Sequence, residues 1–455
     1  MTPLADDLRD ALGADVVVRA PAAADLSDGT EARGLRGRAD AVAEPRSAGE
    51  VAAVMRWCYA NDVPVVPRGG GTGFAGGAVP TTGGVVVSLA RMTAVRAFDP
   101  LQWRIHVEAG LRTADLRRIA RESGLWFPPD PGAAESSQIG GNIATNAGGP
   151  HAFKYGVTGA WVTGLEVVVA PGEVIHLGGS TRKDVAGYDL RHLMIGSEGT
   201  LGIVTAAWLR LIPAVECSLP VIGLYPTVAA GCGAIEAAMA SGIVPAAIEY
   251  LDAATMRYAA AGFPIPLQEA AFAVVAEADG SRPEAVAGRE ALCEALADGA
   301  TSVHAPDDPG VIAALWRWRD GVSLAVTAVR GGKVSEDIVV PVDRLAEAIS
   351  ETVAIGARHG LEALSWGHAG DGNMHSSFLL DRGEEAAVER AERAADDLFG
   401  LAVALGGSIS GEHGLGLVKS GQLRRQWEPR AVELHRATKL LFDPKGLLNP
   451  GKKLP

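Results

Sequence analysis

The chain contains 455 residues, and its 41 Lys and Arg against 54 Asp and Glu give a formal net charge of −13. This acidic balance argues against nucleic acid or an anionic membrane surface as the main partner. The acidic start of the chain has no long apolar run, so we expect no signal peptide. No segment approaches about 18 uninterrupted apolar residues, so we expect no transmembrane segment. The expected location is the cytoplasm, and a peripheral position at a membrane is left open.

The first half of the chain predicts short strands with a few helices between them. Ser47 and Glu50 have the spacing of a capping box, which marks the start of a helix. Thr113 is the expected N-cap of a second helix, and Pro171 with Gly172 is the expected turn of a hairpin. The predicted elements in chain order are a helix at 47–60, strands at 63–66, 84–89 and 103–110, a helix at 114–123, a hairpin at 165–177 and a strand at 199–213.

The second half, after about residue 215, alternates longer helices with strands. Two strand–helix–strand sets in one region predict an α+β sandwich with an antiparallel sheet. The closing stretch 441–455 is rich in Pro, Gly and Lys, and it either docks on the first domain or forms a tail. The predicted elements are strands at 217–225, 270–278, 335–342, 361–368 and 374–380, and helices at 227–242, 283–297, 343–360 and 383–406.

Six glycines lie in the eleven residues Pro67 to Gly77. Gly71, Gly73 and Gly76 satisfy G-x-G-x-x-G, but no helix is expected to follow, so a nicotinamide-type dinucleotide site is disfavoured. Successive Gly N–H groups can still form an anion-binding nest without a helix. The alternative is a flexible surface loop, which would be costly at this density of glycine.

Two further glycine-rich stretches occur in the same half of the chain. Residues 130–156 form an expected irregular segment with two Gly pairs and with hydroxyl and amide donors at Ser137, Asn142, Thr145 and Asn146. Residues 195–205 add Gly196, Gly199 and Gly202. Three such segments in one half of a chain predict a large phosphate-bearing cofactor.

Long ordered motifs in these segments resemble a known family. The stretches 67–77, 139–149, 154–174 and 188–205 look like the FAD-binding domain of the vanillyl-alcohol oxidase and para-cresol methylhydroxylase superfamily. The stretches 367–375, 410–416 and 441–452 look like its FAD-linked 2-hydroxy-acid dehydrogenase branch, which includes D-lactate dehydrogenases, the catalytic glycolate oxidase subunit and D-2-hydroxyglutarate dehydrogenase.

The resemblance implies an α+β fold with a two-part FAD-binding domain and an α+β substrate domain built on an antiparallel sheet. The implied organisation is an N-terminal segment at 1–37, the FAD-binding domain at 38–215, the substrate domain at 216–405 and a C-terminal segment at 406–455 that returns to the FAD-binding domain. The implied cofactor-binding residues are Arg68, Gly69, Gly70, Gly71, Thr72, Gly73, Gly76, Pro129, Asp130, Ser137, Gly140, Gly141, Asn142, Thr145, Ala147, Gly148, Gly149, Tyr155, Gly156, Glu198, Gly199, Gly202 and Ile203.

One residue of the first loop bears on how the flavin is attached. Relatives with covalently tethered flavin often carry a His inside this loop. Thr72 stands at the comparable position, and its hydroxyl cannot form that bond. The sequence therefore predicts FAD held without a covalent link.

Two histidines flank an Asp-Gly turn late in the chain. His368 and His375 are expected to converge as cross-strand neighbours beside this turn, and a separate segment supplies Glu412 and His413. Two imidazoles with one carboxylate are a common set for Zn²⁺ or Mn²⁺, although a lone His is more often a hydrogen-bonding structural residue. By resemblance, His368, His375 and Glu412 match the metal ligands and His413 matches the active-site base.

Substrate contacts are implied in the stretch 316–326. By resemblance to the hydroxyglutarate enzymes, Arg319 and Ser323 match substrate-binding positions, and Arg can grip a carboxylate in a bidentate fork. Arg317 is equally well explained as part of a solvated helix face. The chain departs from the family pattern at two positions: Lys333 lies upstream of the expected Lys position, and Ser377 stands in place of an Asn. These departures put a substrate with a second carboxylate in doubt.

The expected reaction is the oxidation of a D-2-hydroxy acid to the 2-oxo acid, with a metal polarising the hydroxyl, His413 taking its proton and the hydride passing to flavin N5. The four scattered cysteines, which lack Cys-x-x-Cys spacing, predict no iron–sulfur cluster. Electrons would then leave to an external acceptor: a quinone, an electron-transfer flavoprotein, a cytochrome or an iron–sulfur protein. Three alternative functions remain: a glycolate oxidase-type subunit of a complex, a non-catalytic flavoprotein subunit, and a non-redox flavoenzyme resembling alkyl-dihydroxyacetone-phosphate synthase. Whether the protein forms a homodimer is left open.

Overall fold

The structure is a computed structural model that describes residues 2–13, 16–33, 35–265, 270–381 and 385–454. Its α-helices are α1 Pro3–Leu12, α2 Ala48–Ala60, α3 Thr113–Glu122, α4 Ile139–Thr145, α5 Ala152–Tyr155, α6 Leu190–Met194, α7 Val228–Ala240, α8 Ala253–Ala259, α9 Arg282–Ala295, α10 Pro309–Arg330, α11 Leu345–Arg358, α12 Glu385–Ala404, α13 Leu423–Gln426 and α14 Pro429–Phe442. The predicted first two residues of α12, 383 and 384, lie outside the described residues.

The β-strands are β1 Val17–Arg19, β2 Ala41–Glu44, β3 Val65–Arg68, β4 Val85–Ser88, β5 Val95–Asp99, β6 Arg104–Glu108, β7 Leu125–Trp126, β8 Val162–Val169, β9 Glu173–Gly178, β10 Ile203–Arg210, β11 Ile212–Pro213, β12 Cys217–Tyr225, β13 Ala247–Asp252, β14 Phe272–Gly280, β15 Ser302–His304, β16 Gly331–Val339, β17 Ala363–His368 and β18 Asn373–Asp381. No helix among the described residues is long and apolar enough to cross a membrane.

The chain forms two compact units. The first unit comprises Met1–Gly148, Gly156–Ala214 and Glu412–Pro455, and the second comprises Gly149–Tyr155 and Val215–Gly411. A short piece of the second glycine-rich segment, which contains α5, therefore belongs to the second unit.

Two main sheets build the first unit. One has the strand order β1-β2-β4-β3, and β4 pairs in parallel with both of its neighbours. The other is antiparallel, in the order β5-β6-β10-β8-β9, and contains the predicted hairpin of β8 and β9. Buried side chains of α1, α2 and the first sheet form one core, to which Leu448 of the closing stretch also belongs. Leu448 also bridges Val65 in parallel, so the closing stretch is docked in this unit and the tail alternative is wrong.

A single antiparallel sheet of seven strands organises the second unit, in the order β15-β12-β14-β13-β17-β18-β16, as the sequence predicted. Apolar side chains of this sheet pack with α8 and α10 in one core, because alternate residues of each strand point to the same face. Trp366 of β17 belongs to this core. It lies directly opposite His375 of β18, so both side chains are on the face that carries α10.

Three local predictions were wrong. Arg112, not Thr113, is the N-cap residue of α3, and Thr113 is a buried first-turn residue. The second glycine-rich segment is not irregular throughout, because Ile139–Thr145 forms a helix that ends at Asn146 in the left-handed conformation. Ser47 caps α2 as predicted, but the Glu50 carboxylate accepts from the N–H of Arg46, so the capping box is displaced by one residue.

Candidate active site

His368 and His375 come together in the second unit. They are diagonal neighbours on one face of the β17–β18 hairpin, since His368 pairs with Asn373 and Trp366 pairs with His375. Both imidazoles are buried, their rings meet edge to face, and their Nε2 atoms are 3.4 Å apart. The convergence predicted from the Asp-Gly turn is therefore present in the structure.

Glu249 of β13 orients the first of these histidines. It pairs directly with His368 across the neighbouring strands, and its Oε1 lies 2.6 Å from His368 Nδ1. A carboxylate on Nδ1 holds the proton there and leaves Nε2 with its lone pair, which is the arrangement of a metal-binding histidine. Glu249 was not among the residues predicted from the sequence. The signal for its strand was the short run at 246–251, which is apolar except for Glu249 and ends before Asp252, the N-cap of α8.

Arg319 forms an ion pair with the same Glu249 carboxylate. Its Nε donates to Glu249 Oε2 at 2.6 Å, and both groups are buried. The Glu249 carboxylate thus links the guanidinium of Arg319 to the imidazole of His368. Arg317, two residues earlier on α10, is exposed, which agrees with its reading as part of a solvated helix face.

Ser323 lies one helical turn after Arg319 and contacts a buried lysine. Lys333 Nζ donates to Ser323 Oγ at 2.7 Å and to its carbonyl at 2.9 Å, and it lies 4.8 Å from the centre of the Trp366 ring. Burial lowers the pKa of Lys333 to about 7. The strand β16 begins at Gly331, four residues before the predicted start, and so carries Lys333 to this position. Ser377 donates to Ser335 Oγ at 2.8 Å in the same pair of strands.

Glu412 and His413 begin the C-terminal segment of the first unit. The His413 ring lies 4.8 Å from the ring of Phe74, which is part of the first glycine-rich loop. Glu198, which the resemblance groups with the cofactor-binding residues, directs its carboxylate at the chain just beyond His413. It accepts the N–H groups of Leu415 at 3.0 Å and of Gly416 at 2.7 Å.

The first glycine-rich loop combines a left-handed residue with a very close backbone approach. Gly71 has φ of 69°, and a Cβ on Gly70 would lie 2.3 Å from the carbonyl oxygen of Ser136, so neither position tolerates a side chain. The N–H groups of Gly70–Gly73 donate no hydrogen bond to any acceptor among the described residues of the protein. The loop therefore offers a run of backbone donors to a bound anion.

Side-chain donors of the second glycine-rich segment are used inside the protein. The Ser137 and Thr113 hydroxyls are 2.8 Å apart, and Asn142 Nδ2 donates to Thr113 Oγ1 at 2.7 Å. Thr145 Oγ1 donates to the carbonyl of Gly141. These contacts stabilise the segment.

Tyr155, which the resemblance groups with the cofactor-binding residues, belongs to the second unit. Its hydroxyl donates to Asp279 Oδ2 at 2.6 Å, and Lys154 forms an ion pair with the same carboxylate. Arg68 Nη1 donates to the carbonyl of Ser27. Burial lowers the pKa of the Arg68 guanidinium. The remaining predicted residues lie in the three glycine-rich stretches, except for Pro129, which directly precedes the second stretch.

Two family models match the chain. The model described as "FAD binding domain" matches residues 39–178, and the model described as "FAD linked oxidases, C-terminal domain" matches residues 221–453. The second match alone spans about half of the chain. These matches confirm FAD as the cofactor that the family resemblance implied.

Curated relatives agree with these matches. The chain is 37% identical over 422 residues to the glycolate oxidase subunit GlcD of Bacillus subtilis, covering 91% of this chain and 88% of the relative. It is also 37% identical over 422 residues to D-2-hydroxyglutarate dehydrogenase of Xanthomonas citri pv. viticola, covering 90% of this chain and 88% of the relative.

A solved structure of p-cresol methylhydroxylase with substrate bound has a similar fold, with a TM-score of 0.80 at 16% identity, covering 99% of this chain and 96% of that one. This likeness confirms the predicted α+β fold of the para-cresol methylhydroxylase type, and the relatives confirm the prediction of a flavin-dependent oxidoreductase. The chain therefore belongs to the family of FAD-linked oxidases.

Proposed function

We propose that this protein oxidises a small D-2-hydroxy acid to the corresponding 2-oxo acid and passes the electrons to an external acceptor. The observation that carries the proposal is a cluster on one face of the seven-stranded sheet of the second unit. There an oriented imidazole pair lies beside two buried cationic side chains, Arg319 and Lys333. A 2-hydroxy acid offers complementary groups, an anionic carboxylate and an adjacent hydroxyl.

The imidazole pair fits a divalent metal. Two Zn–N bonds of about 2.0–2.1 Å at a tetrahedral angle place the nitrogens about 3.3 Å apart, close to the 3.4 Å between the Nε2 atoms of His368 and His375. We propose that these two residues and Glu412 hold Zn²⁺ or Mn²⁺. Glu412 is the residue that follows Gly411, the last residue of the second unit. When bound, the metal supplies Lewis-acid polarisation of the substrate hydroxyl.

Each side chain then has a defined task. Arg319 and Lys333 bind and orient the carboxylate of the acid, with Ser323 holding the lysine ammonium in place. His413 accepts the hydroxyl proton as general base. FAD, when bound, supplies the acceptor of the Cα hydride. In this proposal Glu249 orients His368 and balances the charge of Arg319.

The FAD is expected to be held without a covalent bond. The N–H groups of Gly70–Gly73 fit its diphosphate as donors, and Thr72 offers no nucleophilic ring nitrogen to the flavin. Acid precipitation of the yellow protein should therefore release all of the flavin as intact FAD, measured by absorbance and chromatography of the supernatant. Flavin that stays with the denatured pellet would contradict this expectation.

Substrate binding should depend on the charge of Lys333. Because burial lowers the pKa of Lys333 to about 7, its ammonium form is lost as the pH rises through that value. The half-saturation concentration for flavin reduction should therefore be constant below about pH 7 and rise by up to about tenfold per pH unit above it. Lys333→Met should raise this concentration at pH 6 and remove the rise. The exposed Lys183→Met is the control, and an unchanged pH dependence in Lys333→Met would contradict the assignment.

The identity of the acid is tested by anaerobic bleaching of the flavin against a panel of D- and L-2-hydroxy acids. Glycolate, D-lactate and D-2-hydroxyglutarate are the informative members, because they differ in the size and charge of the group on Cα. Lys333 lies upstream of the position at which the family pattern has a Lys. In this proposal its ammonium group binds one carboxylate of the substrate, beside Ser323. Bleaching by one of these acids supports the proposal. A flavin that no acid reduces would instead favour the non-redox or non-catalytic alternatives.

A further inference from the structure

The Glu412–His413 dipeptide is preceded by a backbone anchor in the second unit. Asp337 of β16 is fully buried, and its Oδ2 accepts the N–H of Gly411 at 2.6 Å. Its Oδ1 accepts the hydroxyl of Ser410 at 3.1 Å. This carboxylate therefore fixes the chain one residue before Glu412.

A second anchor follows the dipeptide in the first unit. The buried Glu198 accepts the N–H groups of Leu415 and Gly416, one on each carboxylate oxygen. Lys453 donates to Glu198 Oε1 at 3.0 Å. Gly414 and Gly416 have φ of 80° and 46°, so the chain makes a tight turn here that the carboxylate holds closed.

We propose that Glu198 and Asp337 are positioning residues that set the orientation of the Glu412 and His413 side chains by clamping the backbone on either side of them. Hydrogen bonds from backbone N–H groups to a carboxylate are charge-assisted and stronger than those between neutral groups. A dipeptide between two glycine residues, Gly411 and Gly414, would otherwise have many backbone conformations. The inference rests on the proposed function, since it gives a task to the proposed ligand and base.

Glu198→Gln is the first test variant, because a Gln side chain can accept only one of the two N–H groups. In the FAD-loaded protein, the amides of Leu415 and Gly416 should exchange with deuterium about tenfold faster, the effect of losing one hydrogen bond. The maximal rate of flavin reduction by the best acid should fall about 10–100-fold, as for other supporting residues. The substrate half-saturation concentration and the FAD content should not change.

Lys453→Met is the matched control for Glu198→Gln. It removes the ion pair with Glu198 but leaves both backbone N–H contacts, so reduction and exchange should stay close to wild type. For the other anchor, Asp337→Asn should speed exchange at Gly411 and slow reduction. Its control is Ser410→Ala, which removes only the hydroxyl contact.

The outcomes separate this inference from the proposed function. If Glu198→Gln and Asp337→Asn keep wild-type exchange and wild-type reduction rates, the positioning role is overturned. If the wild type is not reduced by any 2-hydroxy acid, the proposed function fails, while the exchange data still report on the anchors. If either variant does not fold, deuterium exchange of the Gly411, Leu415 and Gly416 amides in the wild-type protein tests the clamp instead. Exchange as fast as in the exposed stretch 181–188 would overturn the clamp.

Discussion

In the His368→Ala variant, the protein is expected to lose its divalent metal and to reduce its flavin about a thousandfold more slowly with the preferred 2-hydroxy acid, while FAD stays bound. The reason is that Lewis-acid polarisation is worth several kcal/mol of barrier, and about 1.4 kcal/mol corresponds to a factor of ten. His368 has no role in FAD binding in the proposed function, so the FAD content should be unaffected. Elemental analysis and anaerobic stopped-flow reduction are the measurements.

Two companion variants sharpen this expectation. Glu249→Gln leaves His368 in place but weakens the carboxylate that orients it, so metal affinity should fall by about 10–100-fold, with recovery at high metal concentration. His304→Ala, on the edge strand β15, removes a histidine of the same unit whose ring contacts Ser302. It should behave as wild type. A metal-free wild-type preparation with full activity would show that the ligand assignment is wrong.

The His413→Ala variant is expected to slow flavin reduction by about 10²–10⁴-fold, the usual range for loss of a general base, with FAD and metal still bound. The Phe74 contact of the ring lies in the first glycine-rich loop, so FAD retention must be measured directly. Stopped-flow reduction at saturating metal gives the rate of the chemical step.

The competing explanation is that His413 only supports Glu412. In that case the variant would lose metal, and added metal would restore most of the reduction rate. His192→Ala is the control in the same unit, because this exposed histidine pairs only with the neighbouring Asp189 among the described contacts. Reduction at a near-wild-type rate in metal-saturated His413→Ala would remove His413 from the role of base.

Features with a local physical cause were determined by the sequence itself. Alternation and β-branched runs identified β12, β14, β17 and β18, because side chains alternate between the two faces of a strand whatever lies beside it. The Asp-Gly turn brought His368 and His375 together, because residues beside a tight hairpin turn are cross-strand neighbours. The glycine density of Pro67–Gly77 likewise marked a segment of close backbone approach, which Gly70 and Ser136 show.

Contacts between distant parts of the chain were decided only by the tertiary structure. Glu249 reaches His368 across 119 positions, because the sheet order places β13 beside β17 and the register sets these two residues opposite each other. The hydroxyl of Tyr155 donates to Asp279, which lies 124 positions further along the chain. Glu198 accepts the N–H groups of Leu415 and Gly416 for the same reason. No local propensity encodes which strands are neighbours or which buried carboxylate finds which donor, since these pairings follow from packing the whole core.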